Sequence, residues 1–175
     1  MIVTWHWQAM MIDNDPRAPI WVPVVLPLLY LVSIYFLTQW MEKREAFSMK
    51  GVMAVYNCYS TALSAFMCYF LLRELTSVPM AAMWTSKPLG VPSAIFWIAY
   101  QSKFIEYTDT IIFVLRKKKD QVTPLHVIHH AEMGPLMWFI YVTDPGNINN
   151  AFGPMINAGI HTVMYGTSNP CSVHF

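Results

Sequence analysis

The sequence predicts an all-α, polytopic membrane helical bundle. Three observations carry that prediction. Of 175 residues, 55% are apolar and only 12% charged, against about 25% charged in an ordinary soluble domain. Two runs are free of charge over membrane-spanning lengths: Ile20 to Trp40, 21 residues, and Gly51 to Leu72, 22 residues. At ~1.5 Å per residue each can cross ~30 Å of hydrocarbon as a helix. Further apolar runs then alternate with short polar loops.

Taken in order, five spans are expected, at about 20–40, 51–72, 91–115, 125–142 and 149–168. The third is interrupted by Lys103, Glu106 and Asp109, and the last two are short or partly polar. No internal repeat or low-complexity tract divides the chain, so 1–175 reads as a single membrane domain. The N-terminus lacks the basic stretch of a signal peptide, so the first span is expected to stay as an anchor.

Composition also excludes classes. The chain is too apolar and aromatic for disorder. A net charge of +1 with no basic face argues against nucleic-acid binding. Three cysteines, two of them (Cys58 and Cys68) inside one apolar run, do not make a disulfide scaffold. Lys43, Arg44 and Lys50 follow the first span, and Arg116, Lys117, Lys118 and Lys119 follow the third. Both loops are expected on the cytoplasmic side. The N-terminus, with Arg17, and the segment carrying Arg73 and Lys87 are then expected on the other side.

Three polar clusters sit where lipid would otherwise be. Lys103, Glu106, Asp109 and Thr110 fall on one stripe of a helix. Such a stripe faces other helices, either as an ion-pair ladder that only fixes packing or as part of a site. His126, His129 and His130 share a face at the start of the fourth span. A lone histidine is usually a hydrogen-bonded core residue, but three on one face each need a partner once desolvated. Asn157, His161 and Tyr165 are successive i+4 steps on the fifth span, with Asn150 upstream. If the spans alternate in direction, His129 lies ~6 Å and His161 ~10 Å from the cytoplasmic side, so the two can meet.

Lys103-Phe-Ile-Glu106-Tyr-Thr-Asp109-Thr110 resembles the K-x-x-E-x-x-D-T signature of the ELO family of very-long-chain fatty acid elongases. Leu125-His126-Val127-Ile128-His129-His130 is similar to that family's H-x-x-H-H box. Asn157 through His161 to Met164-Tyr165 resembles its N-x-x-x-H-x-x-M-Y motif, and Tyr56-Asn57 after the basic loop Trp40–Arg44 also fits. The resemblance covers about residues 12 to 166 and lies in motif order on the expected spans.

What the resemblance implies is a condensing enzyme of the endoplasmic reticulum membrane, multi-pass, with a luminal N-terminus and a site toward the cytosol. It would join a long-chain acyl-CoA to malonyl-CoA, giving a 3-oxoacyl-CoA, carbon dioxide and CoA. No metal or other cofactor is implied. His129 and His161 would be the reacting pair and His126 and His130 would orient them. Asn157 would serve an oxyanion or fix His161, and Glu106 and Asp109 would orient imidazoles. Tyr165, Lys103, Arg116 and Lys117 would support substrate binding, the cations at the mouth where CoA phosphates arrive. Plain topology accounts equally well for Lys103, Arg116 and Lys117. Elongase homo- or hetero-oligomers and a reductase and dehydratase of the elongation cycle are the implied partners.

Two other readings stand beside this one. Histidine boxes also occur in metal-dependent membrane lipid-modifying enzymes, and one box plus His161 and Glu106 or Asp109 could ligate a zinc. Such di-iron enzymes carry about eight histidines, whereas only four of the six here lie in spans, His6 and His174 being near the termini. The other reading is an inactive partner. The family has seven spans, six around an acyl tunnel, and its third motif continues M-Y-x-Y-Y. Here Met164-Tyr165 runs into Gly166–Phe175. An incomplete bundle would leave the tunnel open to lipid or water. The 175-residue chain alone is therefore expected to be inactive or unstable.

Overall fold

A computed structural model describes residues 18–77, 79, 93–143 and 148–168. Arg17, Lys87, Val91, His6, His174 and the tail from Asn169 lie outside them. Among the described residues six helices follow in order: α1 Val22–Glu42, α2 Lys50–Ser77, α3 Ser93–Ile105, α4 Tyr107–Leu115, α5 Pro124–Thr143 and α6 Ile148–Thr167. No strand occurs among the described residues. Among them α1 and α2 are long and apolar enough to cross a membrane by length and composition. Leu28, Leu29 and Phe36 on α1 and Val55 and Tyr69 on α2 are exposed, as a lipid-facing surface requires. The fold is an all-α membrane helical bundle.

Prolines inside helices show the same solvent logic. Pro27, Pro135 and Pro154 stand within α1, α5 and α6. In a bundle, neighbouring side chains and local adjustments satisfy the backbone groups that proline frees.

The run expected over 91–115 as one helix is two. Glu106 keeps a helical backbone (φ −62°, ψ −17°). The Asp109 N–H, however, donates to the Glu106 carbonyl at 3.1 Å, a tightened i−3 bond instead of i−4. That releases the Ile105 carbonyl, and the Tyr56 hydroxyl from α2 points to it at 3.5 Å. The interruption divides the core. α3 contributes Ile95, Phe96, Ala99 and Tyr100 to one apolar cluster with Met67, Leu71, Met137 and Tyr141. α4 contributes Tyr107 and Val114 to a second, with Tyr30, Ile34 and Met41 of α1.

Small residues allow close helix packing, which in a membrane replaces the hydrophobic drive between helices. α2 and α6 share the most extensive interface, with Ser60 and Ser64 buried on α2 and Ala151 and Ala158 on α6. α3 packs on α5, where Gly134 meets Phe104. A Cβ at Gly134 would stand 2.7 Å from the Phe104 ring. α1 lies against α4 and α5, with the Tyr30 and Tyr107 rings stacked at 4.2 Å.

The two basic loops join each other. The Phe47 N–H donates to the Leu115 carbonyl at 3.0 Å, and Lys117 Nζ lies 3.4 Å from the Glu42 carbonyl. α4 ends in a Schellman turn. Lys118 N–H donates to the Phe113 carbonyl at 2.9 Å and Lys117 N–H to the Val114 carbonyl at 3.0 Å. Lys117 occupies the left-handed position there (φ 55°), where glycine is usual. Asn57 Nδ2 donates to the Ser168 carbonyl at 2.8 Å, bringing the start of α2 to the end of α6. The end of α1, start of α2, end of α4 and end of α6 are thus linked at one end of the bundle.

Candidate functional site

A cavity of about 640 Å³ opens at that end, lined from four helices. α5 contributes His126, His129 and His130, α6 His161 and Tyr165, α4 Asp109 with Arg116 just past its end, and α2 Tyr56 and Asn57. Of the three clusters expected from the sequence, each therefore supplies side chains to one chamber. The His126 and His130 rings lie 4.3 Å apart, the His129 and His130 rings 5.8 Å. His130 and His161 are buried, while His126 and His129 are half-buried at the cavity wall.

A second, apolar pocket of about 380 Å³ lies between α5 and α6, lined by Met133, Leu136, Met137 and Ile140 on one side and Ile156, Ala158 and Ile160 on the other. Lys103 and Asn157 sit at its polar end. His129 lines both spaces. A ligand with a charged head and an apolar chain would meet its change of polarity at this imidazole.

Around His161 the groups are charged. Lys103 Nζ donates to Glu106 Oε1 at 2.5 Å and to Asn157 Oδ1 at 2.6 Å. Both ions are buried, so only their pairing offsets several kcal/mol of desolvation per ion. Lysine can only donate, which fixes the Asn157 oxygen toward it and leaves Nδ2 toward His161. Nδ2 lies 3.4 Å from His161 Nε2, so Nε2 accepts and Nδ1 carries the ring proton. His161 Nδ1 lies 3.4 Å from Glu106 Oε1, within ion-pair range but not aligned for a hydrogen bond. The ring is thus held between an amide and a carboxylate, with its tautomer set.

Around Asp109 the groups are phenols. The Tyr165 hydroxyl donates to Asp109 Oδ2 at 2.5 Å. The Tyr56 ring packs edge-on against Tyr165 at 5.8 Å and the His161 ring does so at 5.3 Å. Beside them a third group forms. The Tyr30 hydroxyl meets Thr110 Oγ1 at 2.8 Å, and Thr110 Oγ1 meets His126 Nε2 at 2.9 Å. The single stripe read from the sequence therefore fans into three networks: Lys103 and Glu106 to α6, Asp109 to Tyr165, Thr110 to α1 and α5.

Three differences from the sequence reading follow. Lys103, expected with the cations at the mouth, is buried, paired with Glu106 and Asn157, and lines the apolar pocket and not the histidine cavity, because its charge needs those partners once desolvated. Arg116 lines the histidine cavity, but Lys117 does not. Lys117 lines a separate pocket with Lys118, Lys119, Met41 and Glu42. The left-handed backbone at Lys117 turns the chain away from the direction α4 was following. Tyr30 is not marked by the sequence: the charge-free run 20–40 holds two phenols, Tyr30 and Tyr35, and nothing local tells which one reaches the site. Among the described residues no group of three or more His, Cys, Asp and Glu side chains is arranged to hold a metal ion. The glutamate nearest His161 is already paired with Lys103, and His126 Nε2 with Thr110.

Residues 16–167 match the GNS1/SUR4 family, ELO. The chain is 37% identical over 150 residues to very long chain fatty acid elongase 2 of Mus musculus, covering 81% of this chain and 50% of that protein. It is 34% identical over 167 residues to very long chain fatty acid elongase 7 of Rattus norvegicus, covering 87% and 59%. With very long chain fatty acid elongase 1 of Homo sapiens the identity is 33% over 176 residues, covering 91% and 62%. The chain thus spans about half to three-fifths of the length of these curated relatives. A family match over nearly the whole chain and relatives above 30% identity agree with the three motifs: the chain belongs to the ELO family.

Proposed function

We propose that these residues form the condensing site of a very-long-chain 3-oxoacyl-CoA synthase, acting on acyl-CoA and malonyl-CoA at the cytosolic side of the endoplasmic reticulum membrane. The observation that carries the reading is the shared wall at His129 between a polar chamber and an apolar pocket. The chamber suits thioester and malonyl groups, the pocket an alkyl chain.

In the reaction a bond forms between the acyl carbonyl carbon and C2 of the malonyl group. The electron pair for it comes from the breaking C–CO2 bond, and the acyl carbon–sulfur bond gives up CoA thiolate, which takes a proton. Imidazoles at His129 and His161 suit acyl acceptance and proton transfer. The Lys103–Glu106–Asn157 network would set the resting tautomer and orientation of His161. Arg116 at the cavity wall would meet CoA phosphate. The reading needs no metal, and the donors nearest the histidines are committed to lysine and hydroxyl partners. The joined basic loops support a cytosolic opening by the positive-inside rule. Association with a complete elongase or with cycle enzymes belongs to the same proposal.

The test is expression in cells lacking endogenous elongase, with membranes supplied labelled malonyl-CoA and acyl-CoA of graded length. Condensation that His129→Ala or His161→Ala lowers by about 100-fold or more, with insertion unchanged, supports the reading. Activity that survives both substitutions, or that a chelator abolishes and iron restores, overturns it.

A further inference from the structure

The hydroxyl pair on His126 is constrained by how many of its protons find an acceptor. Thr110 Oγ1 has two neighbours, Tyr30 OH at 2.8 Å and His126 Nε2 at 2.9 Å. A threonine hydroxyl has one proton and two lone pairs; accepting from both neighbours would leave its own proton without an acceptor among the described residues in a fully buried side chain, so it donates to one neighbour and accepts from the other. If His126 Nε2–H donated to Thr110, Thr110 would donate to Tyr30. The Tyr30 proton would then need a third acceptor. Among the described residues the Tyr30 hydroxyl has no hydrogen-bond partner besides Thr110, and the residue is 3% exposed. An unmatched donor there costs free energy on the scale of a lost hydrogen bond. In the opposite arrangement Tyr30 donates to Thr110 and Thr110 donates to Nε2. Both hydroxyl protons are then matched inside the protein.

Nothing in this second arrangement strands the remaining imidazole proton. His126 lines the polar cavity and is half-buried. In this arrangement Nδ1 carries the ring proton, on a side chain that lines the cavity. Thr110 itself is fully buried, which keeps water from competing for its proton. Tyr30 is fixed by stacking on Tyr107 at 4.2 Å, so the relay starts from a ring that is itself held.

We infer that Tyr30 and Thr110 are positioning residues that hold His126 as the neutral Nδ1–H tautomer, so that His126 presents a hydrogen-bond donor, not a proton acceptor, to a substrate oxygen in the cavity. This rests on the proposed condensation, where the acyl carbonyl oxygen gains negative charge as the new carbon–carbon bond forms. It also divides labour among the imidazoles. His126 stabilises charge, leaving proton and acyl transfer to His129 and His161.

Two readouts test it. The tautomer is read by imidazole proton–nitrogen correlation spectra of the protein in nanodiscs with histidine ring nitrogens isotope-labelled, His126 being assigned by its loss in His126→Gln. The expected wild-type signal has hydrogen on Nδ1 and a bare Nε2. Thr110→Val, which keeps shape and removes the hydroxyl, is expected to admit the Nε2–H form, and Thr110→Ser to restore the wild-type pattern. Hydrogen on Nε2 in the wild type overturns the inference. The second readout is kinetic, for variants shown to insert and to stay folded at the assay temperature. Thr110→Val is expected to lower kcat by about 10- to 100-fold with KM little changed, and Thr110→Ser to recover it. An unchanged kcat in Thr110→Val overturns the assigned role. If the tautomer pattern holds and no acyl-CoA condenses in the wild type, the relay stands and the proposed function is what fails.

Discussion

His161 and His126 face the same cavity but are held by opposite means. His161 sits in a charged network, with buried Lys103 and Glu106 paired at 2.5 Å and Asn157 bridging between lysine and imidazole. His126 is held by two neutral hydroxyls in series. The charged network fixes its members by Coulomb attraction in a low dielectric, and each ion needs the other to offset its desolvation. The hydroxyl relay fixes its ring by proton count, and loss of either hydroxyl leaves no bare charge. One network should therefore fail abruptly when a partner is removed, and the other by degrees.

The sharpest way to break that comparison is Lys103→Met. It leaves the Glu106 carboxylate buried without its cation, and a loss of about 3–5 kcal/mol is expected. Thermal unfolding in detergent or nanodiscs measures it. The double variant Lys103→Met/Glu106→Leu should recover most of the loss, since an apolar pair of similar volume is often neutral. A single variant that loses under about 1 kcal/mol would show that Glu106 does not depend on Lys103.

Between the extremes lies the α3–α5 contact that sets the spacing of both networks. Gly134→Ala drives a Cβ to within 2.7 Å of Phe104, and overpacking of this kind costs about 1–3 kcal/mol. Phe104→Leu in the same chain should relieve part of it, and the pair's non-additivity is the measurement. Tyr165→Phe removes the donor to Asp109 Oδ2, with an expected loss of about 1–3 kcal/mol in the same unfolding assay.

For the hydroxyl relay the expectation is smaller. Thr110→Val alone should cost about 1–2 kcal/mol, because it strands the Tyr30 hydroxyl. Adding Tyr30→Phe should not add to it, since removing both partners by shape-preserving changes can be nearly neutral. Strict additivity in that cycle would contradict direct coupling of the two hydroxyls. The smallest effect has the opposite sign. Lys117→Gly places glycine at the left-handed end of α4 and should stabilise by about 1 kcal/mol, read as a raised unfolding midpoint.

Much of the site was legible in the sequence because helical periodicity is local. The i, i+3, i+4 spacing of His126, His129 and His130 put three imidazoles on one face, and the depth argument brought His161 level with His129. All four line the cavity. The stripe from Lys103 to Thr110 was legible as inward-facing, but not as three separate networks. Its fan depends on one tightened turn at Glu106, where neither proline nor glycine marks the chain. Lys117 could not be told from Arg116 by spacing, since a positive φ at a lysine has no sequence signal.

The sequence by itself determined that this chain is a bundle of apolar helices and that its few intramembrane charges and imidazoles turn inward. The reason is solvent: hydrocarbon accepts neither bare backbone nor bare charge. It also determined which family the motifs resemble. Only the tertiary structure decided which polar group answers which. Tyr30 reaches Thr110 across 80 positions, and Tyr165 reaches Asp109 across 56. Partners that far apart are set by how close two helices approach. Helical periodicity tells which way a side chain points, but a hydrogen bond also needs a length, and the length came from packing.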